Sequence, residues 1–370
     1  MGTRYLVFLA CLFAPSILAD YPLPPPSTGT LYVSSFRANE IVAYQPDGNY
    51  VDRFSHPDLR GPRGLAISSA GELFCGAQGA DRILVFSGDG EYRRQFTGGG
   101  LDGPTGLAFS PDGRLYVSSF YSNEVIIFST AGEHLDTILS ENFRGPNCIA
   151  FHPDGRHFYV VSQTNARVLV FDENGDELPC FTGGGLSSAM GAAIYEDEIF
   201  VTGGSSHNVA VFDLEGQFLR NIVDPEIDGP QGVAFDEYGN FAVSSFYTGR
   251  IAYFTRQGER LKVFEEAQIQ IARSLAYFPL LAERPFRRAD VNLDDKIDIS
   301  DPISILRLLF RESEGSDLTC EDAVDTNDDG KLNIADATSA LGFLFKGDDP
   351  PPEPFVGRGH DPTQDALRCY

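Results

Sequence analysis

Two stretches near the C-terminal end carry oxygen-bearing side chains at alternate positions, a pattern whose chemistry is the capture of a hard cation. In the first, Asp290, Asn292, Asp294, Asp298 and Asp301 stand at positions 1, 3, 5, 9 and 12 of a loop, with the backbone carbonyl of Lys296 at position 7. Asp325, Asn327, Asp329, Lys331, Asn333 and Asp336 repeat the spacing 35 residues later. Calcium takes roughly six to eight oxygens, and odd positions of a tight loop point inward while the position-12 acid closes the shell. Two calcium ions are therefore the expected cofactors. Each loop runs into an apolar helical stretch, Ile303 to Phe310 and Ala337 to Phe345. Position 6 is Gly330 in the second loop but Asp295 in the first, where a side chain suits a left-handed turn less well, so the first site is expected to be the weaker.

The acids are part of a wider bias. The chain has 53 acidic against 28 basic residues, a formal charge of −25, and residues 286–370 alone carry 19 acids and 9 bases. Nucleic acid and anionic membrane are excluded as partners by phosphate repulsion. Hydrophobic residues at 42% and aromatics at 12% describe a folded protein, and 38 Gly with 23 Pro describe many tight turns. At the N-terminus, Arg4, the apolar run Tyr5 to Ala14 and the small-residue end Ile17-Leu18-Ala19 read as a signal peptide over 1–19. A Pro-rich leader follows over 20–30. No later stretch is long and apolar enough to span a bilayer, so the mature chain is expected to be secreted. Of its cysteines, Cys320 and Cys369 share the C-terminal region and are the candidate disulfide; Cys75, Cys148 and Cys180 read as small buried hydrophobes.

The elements that hold the larger part together repeat six times. Leu31-Tyr-Val-Ser-Ser-Phe36, Leu73-Phe-Cys-Gly76, Leu115-Tyr-Val-Ser-Ser-Phe120, Phe158-Tyr-Val-Val161, Ile199-Phe-Val-Thr202 and Phe241-Ala-Val-Ser-Ser-Phe246 follow one another at steps of 41 to 43 residues. A second apolar run comes about ten residues after each, as in Val125-Ile-Ile-Phe128. A third, Gly-Pro-x-Gly-Leu-Ala, precedes five of them, as in Gly103-Pro-Thr-Gly-Leu-Ala108. Turn signals every ten residues make four strands per unit, the pattern of a propeller blade. The first unit lacks the Gly-Pro-x-Gly strand, while an orphan copy, Ala272-Arg-Ser-Leu-Ala-Tyr277, follows the sixth. That strand is expected to complete the first blade and close the ring over 31–282, leaving no bare sheet edge.

In such a ring the residue x lines the mouth of the axial channel. Round the ring it is Arg63, Thr105, Asn147, Met190, Gln231 and Arg273. Beside it fall Phe36, Phe120 and Phe246, with Tyr121 and Tyr247 next to two of these. Arg63, Asn147, Gln231, Arg273, Phe120, Tyr121, Phe246 and Tyr247 form the candidate ligand face, suited to a carbohydrate or peptide by stacking and hydrogen bonding; packing between blades is the alternative for the rings. Glu40, Arg82, Glu124, Arg167, Asn208 and Arg250 recur at one further position, and acid and base there are expected to pair between neighbouring blades.

The repeat resembles the NHL-type propeller family, with the gluconolactonase and regucalcin group as a relative. That resemblance implies the fold and, for gluconolactonase-like enzymes, a divalent metal at the channel mouth held by carboxylates and Asn. Only Asn147 matches; Gln231 stands where an Asp is expected. The histidines fall at scattered repeat positions, the Ser34-Ser35, Ser118-Ser119 and Ser244-Ser245 pairs recur with the blade, and Thr97-Gly-Gly-Gly100 is a repeat turn. No catalytic constellation is present. A lactonase-like or carbohydrate-active hydrolase or lyase remains the alternative to a binder.

The duplicated loops resemble the dockerin family over 286–346, since both end in Asp and no helix enters the first. The resemblance implies docking on a cohesin-like or cell-surface partner through loop positions 10 and 11, here Ile299-Ser300 and Ile334-Ala335, which are less polar than usual. It also associates the chain with polysaccharide degradation. The fold class expected is thus mainly β, a six-bladed β-propeller, a linker at 283–285, a small α-helical dockerin-like domain with EF-hand-type loops, and a Pro-rich tail over 347–370.

Overall fold

A computed structural model of the chain describes residues 29–236, 238–264, 269, 271–278, 287–291, 296–310 and 321–355. The signal-peptide reading, the linker, Asn292, Asp294, Asp295, Cys320, Cys369 and the tail beyond 355 lie outside the described residues. Twenty-four strands form six four-stranded antiparallel sheets, the six blades of a propeller. Each β-branched or aromatic run of the repeat becomes one of the two middle strands of a blade, buried on both faces, as in Leu115–Ser119 and Glu124–Phe128. The outermost strands, such as Tyr50–Ser55, are mostly exposed and correspondingly polar. Between neighbouring blades six apolar clusters form the core; one joins Leu31, Val33 and Tyr44 of blade 1 to Ile251 and Tyr253 of blade 6.

Closure occurs as the repeat count requires. Ala272–Phe278 pairs antiparallel with Thr30–Ser35, setting Leu31 opposite Tyr277 and Val33 opposite Leu275, so blade 1 is built from both ends of the domain. Register slips where the inner strand of a blade begins, and two of the recurrent serines take up N–H groups this frees: Ser34 Oγ accepts from Ser274 N at 2.8 Å and Ser244 Oγ from Gly232 N at 2.9 Å. These serines are fully buried.

The second glycine of Gly-Pro-x-Gly has a different cause. A Cβ on Gly64 would lie 2.0 Å from Thr105 O, and one on Gly106 2.6 Å from Cys148 Cα, because inner strands of adjacent blades converge on the axis. Two blades depart from the rule, carrying Cys148 and Ser274 at this position. Cys148 Sγ fills the space by accepting the Ala192 N–H at 3.2 Å, and burial raises its pKa, as it does for Cys75.

The C-terminal region adds α1 (Ser300–Phe310), the single turn α2 (Glu321–Val324) and α3 (Ile334–Lys346). Helices α1 and α3 pack through Ile305 and Ala337 with Val324. Residues 348–355 fold back on the start of the module: Arg288 N donates to Pro354 O, Arg287 Nε to Phe355 O at 2.8 Å, and the Phe355 ring meets Phe343 edge-on at 5.1 Å.

Removing the closing strand should therefore open the ring. A chain ending at residue 268 should melt roughly 5–15 °C below one ending at 284, from loss of Leu275 and its strand pairing; equal melting temperatures would contradict the closure. Gly106→Ala should cost about 1–3 kcal/mol through overpacking against Cys148, measured by thermal unfolding.

Candidate functional site

The inner strands deliver the x residues to one end of the axis. Here Arg63, Thr105, Asn147, Gln231 and Arg273 line a cavity of about 110 Å³, with Cys148 behind them. Met190 takes part through its backbone, accepting Asn147 Nδ2 at 2.8 Å. Asn147 Oδ1 in turn accepts Arg63 Nη1 at 3.0 Å, while Arg273 Nη1 donates to Gln231 Oε1 at 2.7 Å. Thr105 is turned inward, its hydroxyl donating to Pro146 O at 2.9 Å.

The loops after the second strands reach the same end, since Phe120 N donates to Gly103 O and Phe246 N to Gly229 O. Their rings and the two arginines interleave across four consecutive blades. The Arg273 guanidinium sits 4.5 Å from the Phe246 ring centre and 4.9 Å from that of Phe36. Arg63 sits 5.9 Å from both Phe36 and Phe120. The order is ring, cation, ring, cation, ring. Half-buried Phe120 and Phe246, expected from the sequence as stacking surfaces for a ligand, instead clamp guanidiniums between blades.

Tyr121 and Tyr247 differ. They are 59% and 67% exposed and stand perpendicular to Phe120 and Phe246 at 5.2 and 5.0 Å. Each leans on the left-handed glycine of its own blade, Gly103 or Gly229, where a side chain would collide with the ring. His207 stacks near Tyr247 and holds Asp228 at 2.9 Å.

The charge at this mouth is uncompensated. Neither arginine has a carboxylate partner among the described residues, and the buried Nε of each has no hydrogen-bond acceptor. Burial pushes the Arg63 guanidinium down to about 10; burial and then the charge of Arg63 push Arg273 down to about 9. Both stay cationic at neutral pH. A catalytic divalent metal does not fit these residues: two cations face the cavity and the Asn147 amide oxygen is turned to one of them. A separate group, His152, Asp154 and His157, brings three ligand-type atoms within 4.8 Å of one another at the opposite end of the blade 4 inner strand. The Asp154 carboxylate there also accepts the Arg156 and His157 N–H groups, as a turn residue does.

The acid–base alternation seen in the sequence does not bridge blades. Arg82 pairs with Asp58 at 3.6 Å and Arg250 with Glu226 at 3.0 Å, each within its own blade, because the loop before the inner strand is nearer than the next blade.

In the C-terminal module the second loop is the better described. Asp325 and Asp336 are fully buried. Asp325 accepts Asp329 N at 3.2 Å and Gly330 N at 2.8 Å, and Asn327 Oδ1 accepts Asp329 N at 3.1 Å. Asn333 caps α3, with Asp336 Oδ2 returning to Asn333 N at 2.8 Å. Asp336 Oδ1 is buried without a partner. Burial, and after it the charge of Asp325, push the Asp336 carboxyl up to about 6. That donor set fits a hard cation, which would satisfy the bare oxygen and relieve the repulsion. The Lys331 carbonyl accepts Asn333 Nδ2 at 3.3 Å. In the first loop Asp290 and Asp301 are buried, Asp301 accepts Val291 N and Asp298 N, each at 2.9 Å, and Ser300 N donates to Asp298 at 2.8 Å. Buried Arg288, which the sequence did not single out, ties the second loop to the module's start through Asp325 O at 2.8 Å and Asp328 at 3.1 Å.

No protein-family model and no curated protein matches the chain. Solved structures do. A protein of unknown function from Bacteroides caccae is 15% identical, with 68% of this chain and 99% of that one covered and a TM-score of 0.56. A catalytically inactive virginiamycin B lyase from Staphylococcus aureus with quinupristin is 16% identical, covering 67% and 87%, at 0.52. The nidogen/laminin complex contains a chain 12% identical, covering 67% and 98%, at 0.59. At such identity these establish the six-bladed propeller fold.

Truncating an exposed tyrosine, Tyr121→Ala or Tyr247→Ala, should change stability by less than about 1 kcal/mol, whereas Phe246→Ala should cost about 2–4 kcal/mol. Thermal melts of the three variants check this; equal losses would place the tyrosines in the core.

Proposed function

We propose that the chain is an exported binding protein whose propeller holds a carbohydrate or peptide ligand at the axial mouth and whose C-terminal module is a dockerin-like, calcium-loaded tether. The observation that carries the binding reading is the pair of exposed tyrosines flanking two uncompensated guanidiniums, since large flat and forked side chains dominate such sites. The structurally similar virginiamycin B lyase with quinupristin and the nidogen/laminin complex both pair a comparable propeller with another molecule, in keeping with a ligand here. A gluconolactonase-like activity is disfavoured by the donors at the mouth, where described carboxylates are lacking.

Calcium at Asp325, Asn327, Asp329, Asn333, Asp336 and the Lys331 carbonyl is supported by the buried, partnerless oxygen of Asp336. Docking on a cohesin-like or cell-surface partner is supported by Ile299 and Ile334, 47% and 57% exposed at matching positions of the two loops. Among the described residues no helix is long and apolar enough to cross a membrane.

The calcium-loaded chain should be retained on a glycan or peptide array and the Tyr121→Ala/Tyr247→Ala double variant should not; retention of neither wild type nor variant would overturn the binding reading. For the tether, a module with so small an apolar core draws folding free energy from its ions, about 2.7 kcal/mol per site at a hundredfold excess over Kd. A chelator should remove the helical circular dichroism of α1 and α3 and leave the β signal, with Asp325→Ala more damaging than Asp290→Ala. Helical signal that survives chelation would refute calcium dependence.

A further inference from the structure

Burying a cation without a partner is costly, and burying two side by side is costlier. This chain, with a net charge of −25, nevertheless places half-buried Arg63 and Arg273 against the axial cavity, and no described acid acts on either of them. Asn147 and Gln231 each occupy one Nη of their arginine. Phe246, Phe36 and Phe120 fix the guanidinium planes. What remains unsatisfied is the buried Nε–H of each arginine. A planar guanidinium with a free N–H donor matches a carboxylate oxygen, which would also neutralise the half-buried charge.

The surroundings indicate what carries that carboxylate. Tyr121 stands at one end of the ring–cation crescent and Tyr247 at the other, in blades 3 and 6, which face each other across the axis. Exposed aromatic faces on both sides of a cationic centre suit a chain of sugar rings that stack by their C–H faces at the rim and present an acidic unit between. A single acidic amino-acid side chain would meet the guanidiniums yet leave both tyrosines unused.

Resting on the binding reading above, we propose that the propeller's ligand is an acidic oligosaccharide, a uronate-containing chain whose carboxylate is held jointly by Arg63 and Arg273 and whose neighbouring sugars stack on Tyr121 and Tyr247. The test is isothermal titration of the whole chain, calcium-loaded, with a short oligogalacturonate, a neutral galactose oligomer of equal length and an oligoglutamate peptide. The oligogalacturonate should bind about ten- to a hundredfold more tightly than the neutral oligomer, the range of a charge-assisted contact, and weaken with added salt. Arg63→Gln and Arg273→Gln should each remove that preference, and Arg273→Lys, which keeps charge and length but loses the fork, should recover part of it. Thermal melts of all three variants should show the propeller still folded. Equal affinity for acidic and neutral sugars would overturn the uronate inference while leaving carbohydrate binding standing. Tighter binding of oligoglutamate than of the acidic sugar would overturn it in favour of a peptide ligand. Binding of none of the three would overturn both this inference and the carbohydrate reading on which it rests.

Discussion

The axial face of this protein depends on one pairing, that of Ala272–Phe278 with Thr30–Ser35. Each blade buries its faces against two neighbours, so a ring with one strand missing would leave both an open sheet edge and an uncovered apolar seam. The pairing joins residues some 240 apart in sequence, an expensive loop closure that must be offset by burial along the whole seam, such as Leu275 and Ala272 against blade 6. It also carries Arg273 into the ring beside Phe36 and Phe246. Structural closure and the assembly of the candidate site are thus the same event, and anything that frays the first blade dismantles the cationic centre.

The same convergence on the axis determines which residue types the inner strands accept. Glycine is required where one strand's Cα faces the next strand's backbone at under 3 Å of a would-be Cβ, and the departure at Cys148 is accommodated by a hydrogen bond to the neighbouring blade. The residue just before that glycine differs from blade to blade. Six blades place Arg, Thr, Asn, Met, Gln and Arg there, and this variation in an otherwise repetitive frame is what gives the mouth its chemistry. The C-terminal module obeys another constraint: its core is small, four carboxylates are buried in it, and buried Arg288 pairs with Asp328.

Blade count, closure strand and the axial position of x were legible from the sequence because turn residues and apolar runs recur at a nearly constant step. The serine pairs were legible as strand-end hydrogen-bonding groups for the same reason. Contacts between blades were not, because they join residues about 40 or 240 apart with no periodic signature. That is why Phe120 and Phe246 read as ligand surfaces when they clamp arginines, and why Arg82 and Arg250 were expected to reach the next blade when a nearer acid lies in their own. A signal for the first was present: arginine at x in blades 1 and 2 coincides with phenylalanine after the second strand in blades 1, 3 and 6. The carboxylate-rich loops stand out by their spacing, whereas Arg288 and the return of residues 348–355 do not, since neither follows from the loop pattern.

If Arg63 and Arg273 form a shielded cationic pair that takes up an anion, arginine side-chain ¹⁵N–¹H spectra will report it. The two Nε–H signals, assigned by their disappearance in Arg63→Lys and Arg273→Lys, should exchange with solvent far more slowly than those of surface arginines and should shift together on addition of oligogalacturonate. Two signals that exchange as fast as surface arginines and stay unmoved by the acidic sugar would mean that the pair is neither shielded nor an anion site.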